Sequence, residues 1–244
     1  MLFILFAAIC VIFMLIMGIM MYRQHERQLE RKIREQEQRL HELMQGMLGV
    51  LATAIEFRDH NSGDHVRRIC GYTRDLMAAI SERYPHYQIS QPEIDKSASA
   101  AILHDVGKIA VPDRILSKNG KLTDEEYEEI KLHTIRGCEI LKRMPDMLEE
   151  DVYQYAYDIC RHHHERWDGG GYPDGLQGTE ISVWAQVVGV VDAYDALTSE
   201  RPYKKMYDSD TAAEMILRGE CGAFNPEILE VFESCRLKWN EKRS

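Results

Sequence analysis

Two adjacent dyads, His104-Asp105 and His163-His164, with Gly171-Tyr172-Pro173 close behind the second, constrain this chain more than any other feature. Imidazole nitrogens beside a carboxylate that can bridge two ions suit Fe, Mn or Zn better than Ca or Mg. A lone histidine in a chain of 244 residues is more often a core or surface residue than a ligand. Doublets flanked by glycines reverse that expectation.

The remaining composition bounds what such a centre can serve. With 45% hydrophobic and 29% charged residues, the chain can bury a full core, and its length fits one catalytic domain plus an appendage. A formal net charge of -10 argues against binding duplex nucleic acid, which needs a basic face to release phosphate counterions. An anionic substrate must therefore meet local positive charge from metal ions and a few Lys or Arg. The cysteines Cys10, Cys70, Cys138, Cys160, Cys221 and Cys235 form no C-x-x-C pair and read as reduced thiols of a cytosolic domain.

Residues 1–22 carry no charged side chain and as a helix are long enough to cross a bilayer core of roughly 30 Å. A transmembrane helix is expected there. The competing cleaved signal peptide lacks a basic n-region and an A-x-A-like site. Arg23, Arg27, Arg31, Lys32 and Arg34 follow, and the positive-inside rule then predicts a single-pass protein of the cell membrane with its catalytic domain in the cytoplasm. Residues 23–49 read as a helical linker. Leu29, Ile33, Gln36, Leu40, Leu43, Met47, Val50 and Ala54 follow alternating steps of four and three, the seam of a coiled coil. Glu30 with Arg34 and Glu35 with Arg39 add i to i+4 pairs. Two readings stay open: a parallel homodimer stalk, and a single helix that lays the stripe on its own domain.

From residue 50 onward helix signals recur without strand alternation, which predicts an all-α catalytic domain over 50–238 and a tail over 239–244. Tyr84 to Pro92 breaks one helix from the next, which runs into His104 and Asp105. Thr123-Asp124-Glu125-Glu126 is a capping box opening a helix that carries His133. Pro145 closes that region, and a further helix runs from about Glu149 to the histidine cluster. Arg166 to Gly178 reads as a loop and Val183 to Leu197 as a buried helix bearing Asp192 and Asp195. Asn225-Pro226 supplies an N-cap and a proline at N1 for the last helix. If the helical turn continues through LHDVGK, His104 and Lys108 share a face.

LHDVGK at 103–108, HHERWDGGGYPDG at 163–175 and VVDAYDALTSERPYKK at 190–205 together resemble the HD-GYP branch of the HD phosphohydrolase superfamily. The resemblance covers roughly residues 50–238. It implies an HD-type helical bundle that hydrolyses the bacterial second messenger cyclic di-GMP at two or three metal ions, commonly iron or manganese. The implied ligands are His104, Asp105, His133, His163, His164 and Asp192, with Asp105 bridging the metals. His65, in SGDHVRR, matches a family histidine that can reach the cluster. Three-metal members carry a Glu where this chain has Asn61, so a two-metal site is expected here.

Lys108 is expected to neutralise charge growing on the phosphoryl oxygens. Arg201 and Lys204 resemble the family's contacts to phosphates and guanines, and Tyr172 can stack on a base or donate to phosphate. Asp195, one turn beyond Asp192, is expected to orient a ligand. Asp168 is read as a loop stabiliser, His162 as lying outside the matched frame, and Trp167 and Trp184 as core. The expected activity is hydrolysis of cyclic di-GMP to linear pGpG, and on to GMP, by a metal-activated hydroxide. The alternatives are an HD-type hydrolase of another cyclic dinucleotide or nucleotide phosphate, and a catalytically silent nucleotide-binding module in signalling.

Overall fold

The computed structural model describes residues 2–58, 64–143, 148–199 and 206–243, excepting the side chains of 2–5, 7–11, 41, 45 and 241–243. The chain divides into two compact units, Met1–Met47 and Leu48–Ser244. Helix α1, Leu2–Arg58, begins in the first unit and ends in the second.

The first unit is helix throughout its described residues. Its charged portion is built from strong helix formers, and pairs at i and i+4 tie successive turns: Arg31 Nε donates to Glu35 at 2.9 Å and Gln38 Nε2 to Glu42 at 3.1 Å. Leu29, Ile33, Leu40, Leu43 and Met47 are all exposed.

The transmembrane expectation for residues 1–22 is overturned, and with it the single-pass membrane placement and the anchoring of a cytoplasmic domain. Among the described residues no helix is long and apolar enough to cross a membrane. From Arg23 onward the helix is densely charged.

In the second unit, α2 (Asp64–Arg83) is packed by α3 (Gln91–Ala100), α8 (Val183–Thr198) and α10 (Pro226–Arg243). Its buried residues Ile69, Tyr72, Thr73, Leu76, Met77 and Ile80 recur at helical spacing, which gives α2 one continuous apolar face. Against it, Tyr72 stacks on Trp239 with ring centroids 4.2 Å apart. Helix α8 buries Val187, Val188, Val190 and Val191, so it is enclosed on most sides. Helix α7 (Glu150–His162) packs on α3, α8 and α6 (His133–Leu141). Short helices α4 (Asp113–Leu116) and α5 (Asp124–Lys131) precede α6, and α9 (Ser209–Leu217) lies on α8 and α10. The all-α bundle holds: among the described residues there is no strand, and Asp168 and Gln177 form an isolated antiparallel bridge.

Two local expectations change. The helix opened by the Thr123–Glu126 capping box stops at Lys131, and His133 starts a new helix after Leu132. The His104-Asp105 dyad does not continue an α-helix. It lies between two 3-10 turns, Ala101–Leu103 and Val106–Ala110.

Candidate metal centre

The 3-10 geometry decides what Lys108 faces. With three residues per turn, i and i+3 eclipse. Lys108 therefore sits over Asp105 rather than His104, with Nζ 2.7 Å from Asp105 Oδ2. Gly107 lets this turn press against α6: a Cβ there would lie 1.8 Å from the His133 carbonyl oxygen. Gly189 does the same for α8 and α7, since its Cβ would meet the His163 carbonyl oxygen at 2.6 Å. These two glycines bring the helices carrying Asp105, His133, His163 and Asp192 to one point.

Each of four buried imidazoles is held by its Nδ1. That atom donates to the Ala101 carbonyl in His104 (2.9 Å), the Ile130 carbonyl in His133 (2.7 Å) and the Ile159 carbonyl in His163 (2.9 Å), and to Asp195 Oδ2 in His65 (2.7 Å). This orients each ring and turns every Nε2 inward. The four Nε2 atoms are buried with no hydrogen-bond partner, and so is Asp105 Oδ1. Buried polar atoms without partners are costly, and five converging on one place are a donor set for a cation.

Asp105 faces the members on both sides. Its Oδ1 is 3.2 Å from His133 Nε2 and 3.8 Å from His163 Nε2, while Oδ2 is 3.2 Å from His104 Nε2. Asp192 Oδ1 stands 3.9 Å from both His104 Nε2 and His65 Nε2. Among the described residues three overlapping groups could hold an ion: Asp105 with His133, His163 and His164; His65 with His104 and Asp192; and Glu56 with His65 and Asp105. Sequence reasoning missed Glu56, which is 2% exposed and lies 3.9 Å from His65 Nε2. The one available signal was a Glu flanked by apolar residues in α1, with Ile55 buried beside it.

Charge in the cluster is dominated by its carboxylates. Burial opposes ionisation of Asp105, but the Lys108 ammonium and the His104 ring outweigh it and hold the carboxyl well below its usual range. Burial alone would lower His104, yet the adjoining Asp105, with Asp192 and Glu56, raises it to about 9. His163 goes the other way, to about 3, because burial and then the charge of His104 disfavour its protonation. Burial also pushes His164 down, followed by the charges of His163 and His133. Asp195 is buried too, but Arg68 and His65 hold it ionised: Arg68 Nε donates to Oδ1 at 2.5 Å.

The glycine-rich loop is fastened from below. Glu165 is buried, and it accepts the backbone N–H of Asp174 (2.7 Å) and Gly175 (3.1 Å) on Oε1 and of Leu176 (3.1 Å) on Oε2. Arg161 donates twice to Asp174, at 2.6 and 2.7 Å. His162 bridges Asp158 Oδ1 (2.6 Å) and Asp174 Oδ2 (2.9 Å), so it braces the loop. A Cβ on Gly171 would fall 2.4 Å from the Arg166 nitrogen, which explains the residue type. Tyr172, before a cis Pro173, stacks on His164 with centroids 4.7 Å apart, and Lys131 Nζ lies 5.5 Å from its ring centre. Asp168 accepts from Gly170 N within the loop at 3.0 Å. Trp184 packs on the core and Trp167 is partly buried. Asn61, Arg201, Lys204 and Lys205 lie outside the described residues.

Comparison with known proteins gives the same lineage. An HD domain family model matches residues 50–228. A cyclic di-GMP phosphodiesterase of Thermotoga maritima is 39% identical over 186 residues, covering 76% of this chain and 48% of that protein. A 3'3'-cGAMP-specific phosphodiesterase 2 of Vibrio cholerae is 36% identical over 182 residues, covering 74% of this chain and 33% of that protein. The crystal structure of a cyclic GMP-AMP specific phosphodiesterase of V. cholerae superposes with a TM-score of 0.56 at 16% identity, over 82% of this chain and 49% of that one, and speaks to the fold. The chain thus spans at most about half the length of these relatives. With the dyads, the glycine-tyrosine-proline loop and the helical bundle all in place, the chain belongs to the HD-GYP family of the HD superfamily.

Proposed function

We propose that this chain is a metal-dependent phosphodiesterase that hydrolyses cyclic di-GMP to linear pGpG. The observation that carries the reading is the convergence of four partnerless Nε2 atoms and Asp105 Oδ1 in one buried cluster. Such a donor set suits iron or manganese. Two ions would be held by Asp105, His133, His163 and His164 and by His104, Asp192 and His65, with Asp105 available to both groups. Two divalent cations, when bound, bring the pKa of a water toward neutrality and clamp phosphate oxygens for in-line attack.

The chain's own groups set the rest. Asp195 fixes His65 through Nδ1, and the Ala101, Ile130 and Ile159 carbonyls fix the other rings. Lys108, already beside Asp105, offers its ammonium to the negative charge that grows on the phosphoryl oxygens. Tyr172, backed by His164 and fixed by the loop that Glu165 fastens, presents its ring to a base or its hydroxyl to phosphate. Arg201 and Lys204 bind the substrate phosphates, where the planar guanidinium grips two oxygens at once. The catalytic domain is taken as 50–238.

The test is chromatography of reactions of the iron- or manganese-loaded chain with cyclic di-GMP and, separately, 3'3'-cGAMP. Linear pGpG from the first, formed faster than product from the second, supports the reading. Faster cleavage of 3'3'-cGAMP reassigns the substrate. Binding of either nucleotide without product, with metal bound, makes the chain a silent receptor.

A further inference from the structure

Between Arg23 and Met47 the chain has six large apolar residues, and five of them, Leu29, Ile33, Leu40, Leu43 and Met47, fall on one seam at steps of four and three, with Gln36 completing it. All five are exposed, by 46% to 66%. A seam of period 3.5 drifts on a straight helix of 3.6 residues per turn, so it is buried evenly only by a helix that supercoils with it. On the heptad, Ile33, Leu40 and Met47 take the a positions and Leu29, Gln36 and Leu43 the d positions. Ile33 at a with Leu29 and Leu43 at d follows the pattern that favours two strands, and Gln36 meets a polar counterpart only when the two strands are in register.

Charge on the flanks then selects the partner and its direction. The e positions hold Glu30, Glu37 and Met44, and the g positions hold Lys32, Arg39 and Gly46, so the charged flanks lie in the first two heptads. In a parallel, in-register pair each g residue meets the e residue of the next heptad on the other strand, so Lys32 meets Glu37 on both sides of the seam. An antiparallel pair would set g against g and e against e, bringing like charges together. We propose that residues 29–47 pair with the same residues of a second copy of this chain as a parallel, in-register, two-stranded coiled coil. The seam and its flanks are complementary to themselves. The pairing is independent of the chemistry proposed for the second unit.

Sedimentation of the full chain tests it. A dimer is expected, reduced to monomer by Leu40→Glu, while thermal unfolding of the catalytic unit, which holds none of these residues, is unchanged. Lys32→Glu should weaken dimerisation by about fivefold, and Lys32→Glu combined with Glu37→Lys should restore it. Direction is read from cross-linking under mild oxidation, against the unsubstituted chain as control. Leu29→Cys and Met47→Cys should each cross-link to itself, whereas an antiparallel pair would link only the mixture of the two. A chain that is monomeric at every concentration, a dimer indifferent to Leu40→Glu, or cross-linking confined to the mixture would each overturn the proposal.

Discussion

Lys108 Nζ lies 2.7 Å from Asp105 Oδ2, while the other oxygen of the same carboxylate faces His133 at 3.2 Å. One carboxylate thus joins the only motif lysine of the HD turn to the helix that brings in a separate histidine. With bound cations taking over from Lys108 in keeping Asp105 ionised, removing the lysine should leave the donors in place and withdraw its charge from the phosphoryl oxygens. Lys108→Ala is expected to keep its metal content and lose about a hundredfold or more in kcat. Metal analysis beside steady-state kinetics checks this, and loss of metal together with activity would assign Lys108 to holding Asp105 instead.

Glu56 was absent from the expected ligand set and yet lies 3.9 Å from His65 Nε2. Glu56→Gln keeps the shape and removes the charge. It should weaken metal binding about tenfold to a hundredfold, the range for groups that tune a first ligand. Titration with Mn2+ measures this by calorimetry, and unaltered affinity would leave Glu56 with a packing role only.

Glycine chemistry predicts opposite signs at two positions. Gly107→Ala would place a Cβ 1.8 Å from the His133 carbonyl oxygen, so it should cost about 3 kcal/mol or more and drive Asp105 and His133 apart. Gly71, inside α2, has nothing within 4 Å of an added Cβ, and Gly71→Ala should stabilise by about 0.5 to 1 kcal/mol. Denaturant unfolding of both variants reads the two signs.

Asp158 gives an acid limb to stability. Burial raises its pKa, but hydrogen bonds from His162, Ser182 and Trp184 outweigh that and hold it below the ordinary carboxylate range. A depressed folded value contributes stability that is present above the unfolded value of about 4 and lost as pH falls through the folded one. Unfolding free energy followed downward from pH 6 should drop below about pH 4 in the parent and drop less steeply in Asp158→Asn. Parallel curves would show that this carboxylate is not what the network depends on.

What the sequence made legible was chemistry and punctuation. The dyads, the Thr123–Glu126 capping box and the Asn225 cap each depend on neighbours a few residues away, and local signals of that kind survive folding. The turn at His104-Asp105 was harder to see, because its 3-10 form follows from the close approach of Gly107 to α6, a contact between distant segments. Glu56 and the fastening of the loop by Glu165 were hidden for the same reason: the apolar neighbours of Glu56 hint at burial, but neither glutamate's neighbours tell that it will meet His65 or three backbone N–H groups. The apolar opening of α1 pointed toward a membrane span, and among the described residues no helix meets that requirement.

The central claim is that the buried histidine and aspartate cluster hydrolyses a cyclic dinucleotide through bound metal. Its most direct test is turnover of cyclic di-GMP by the full chain loaded anaerobically with iron or manganese, beside Asp105→Ala, with metal content measured on both. The expected result is linear product and bound metal in the parent, with both lost in the variant. Equal turnover in Asp105→Ala, or no turnover by a parent whose metal is confirmed bound, would contradict it.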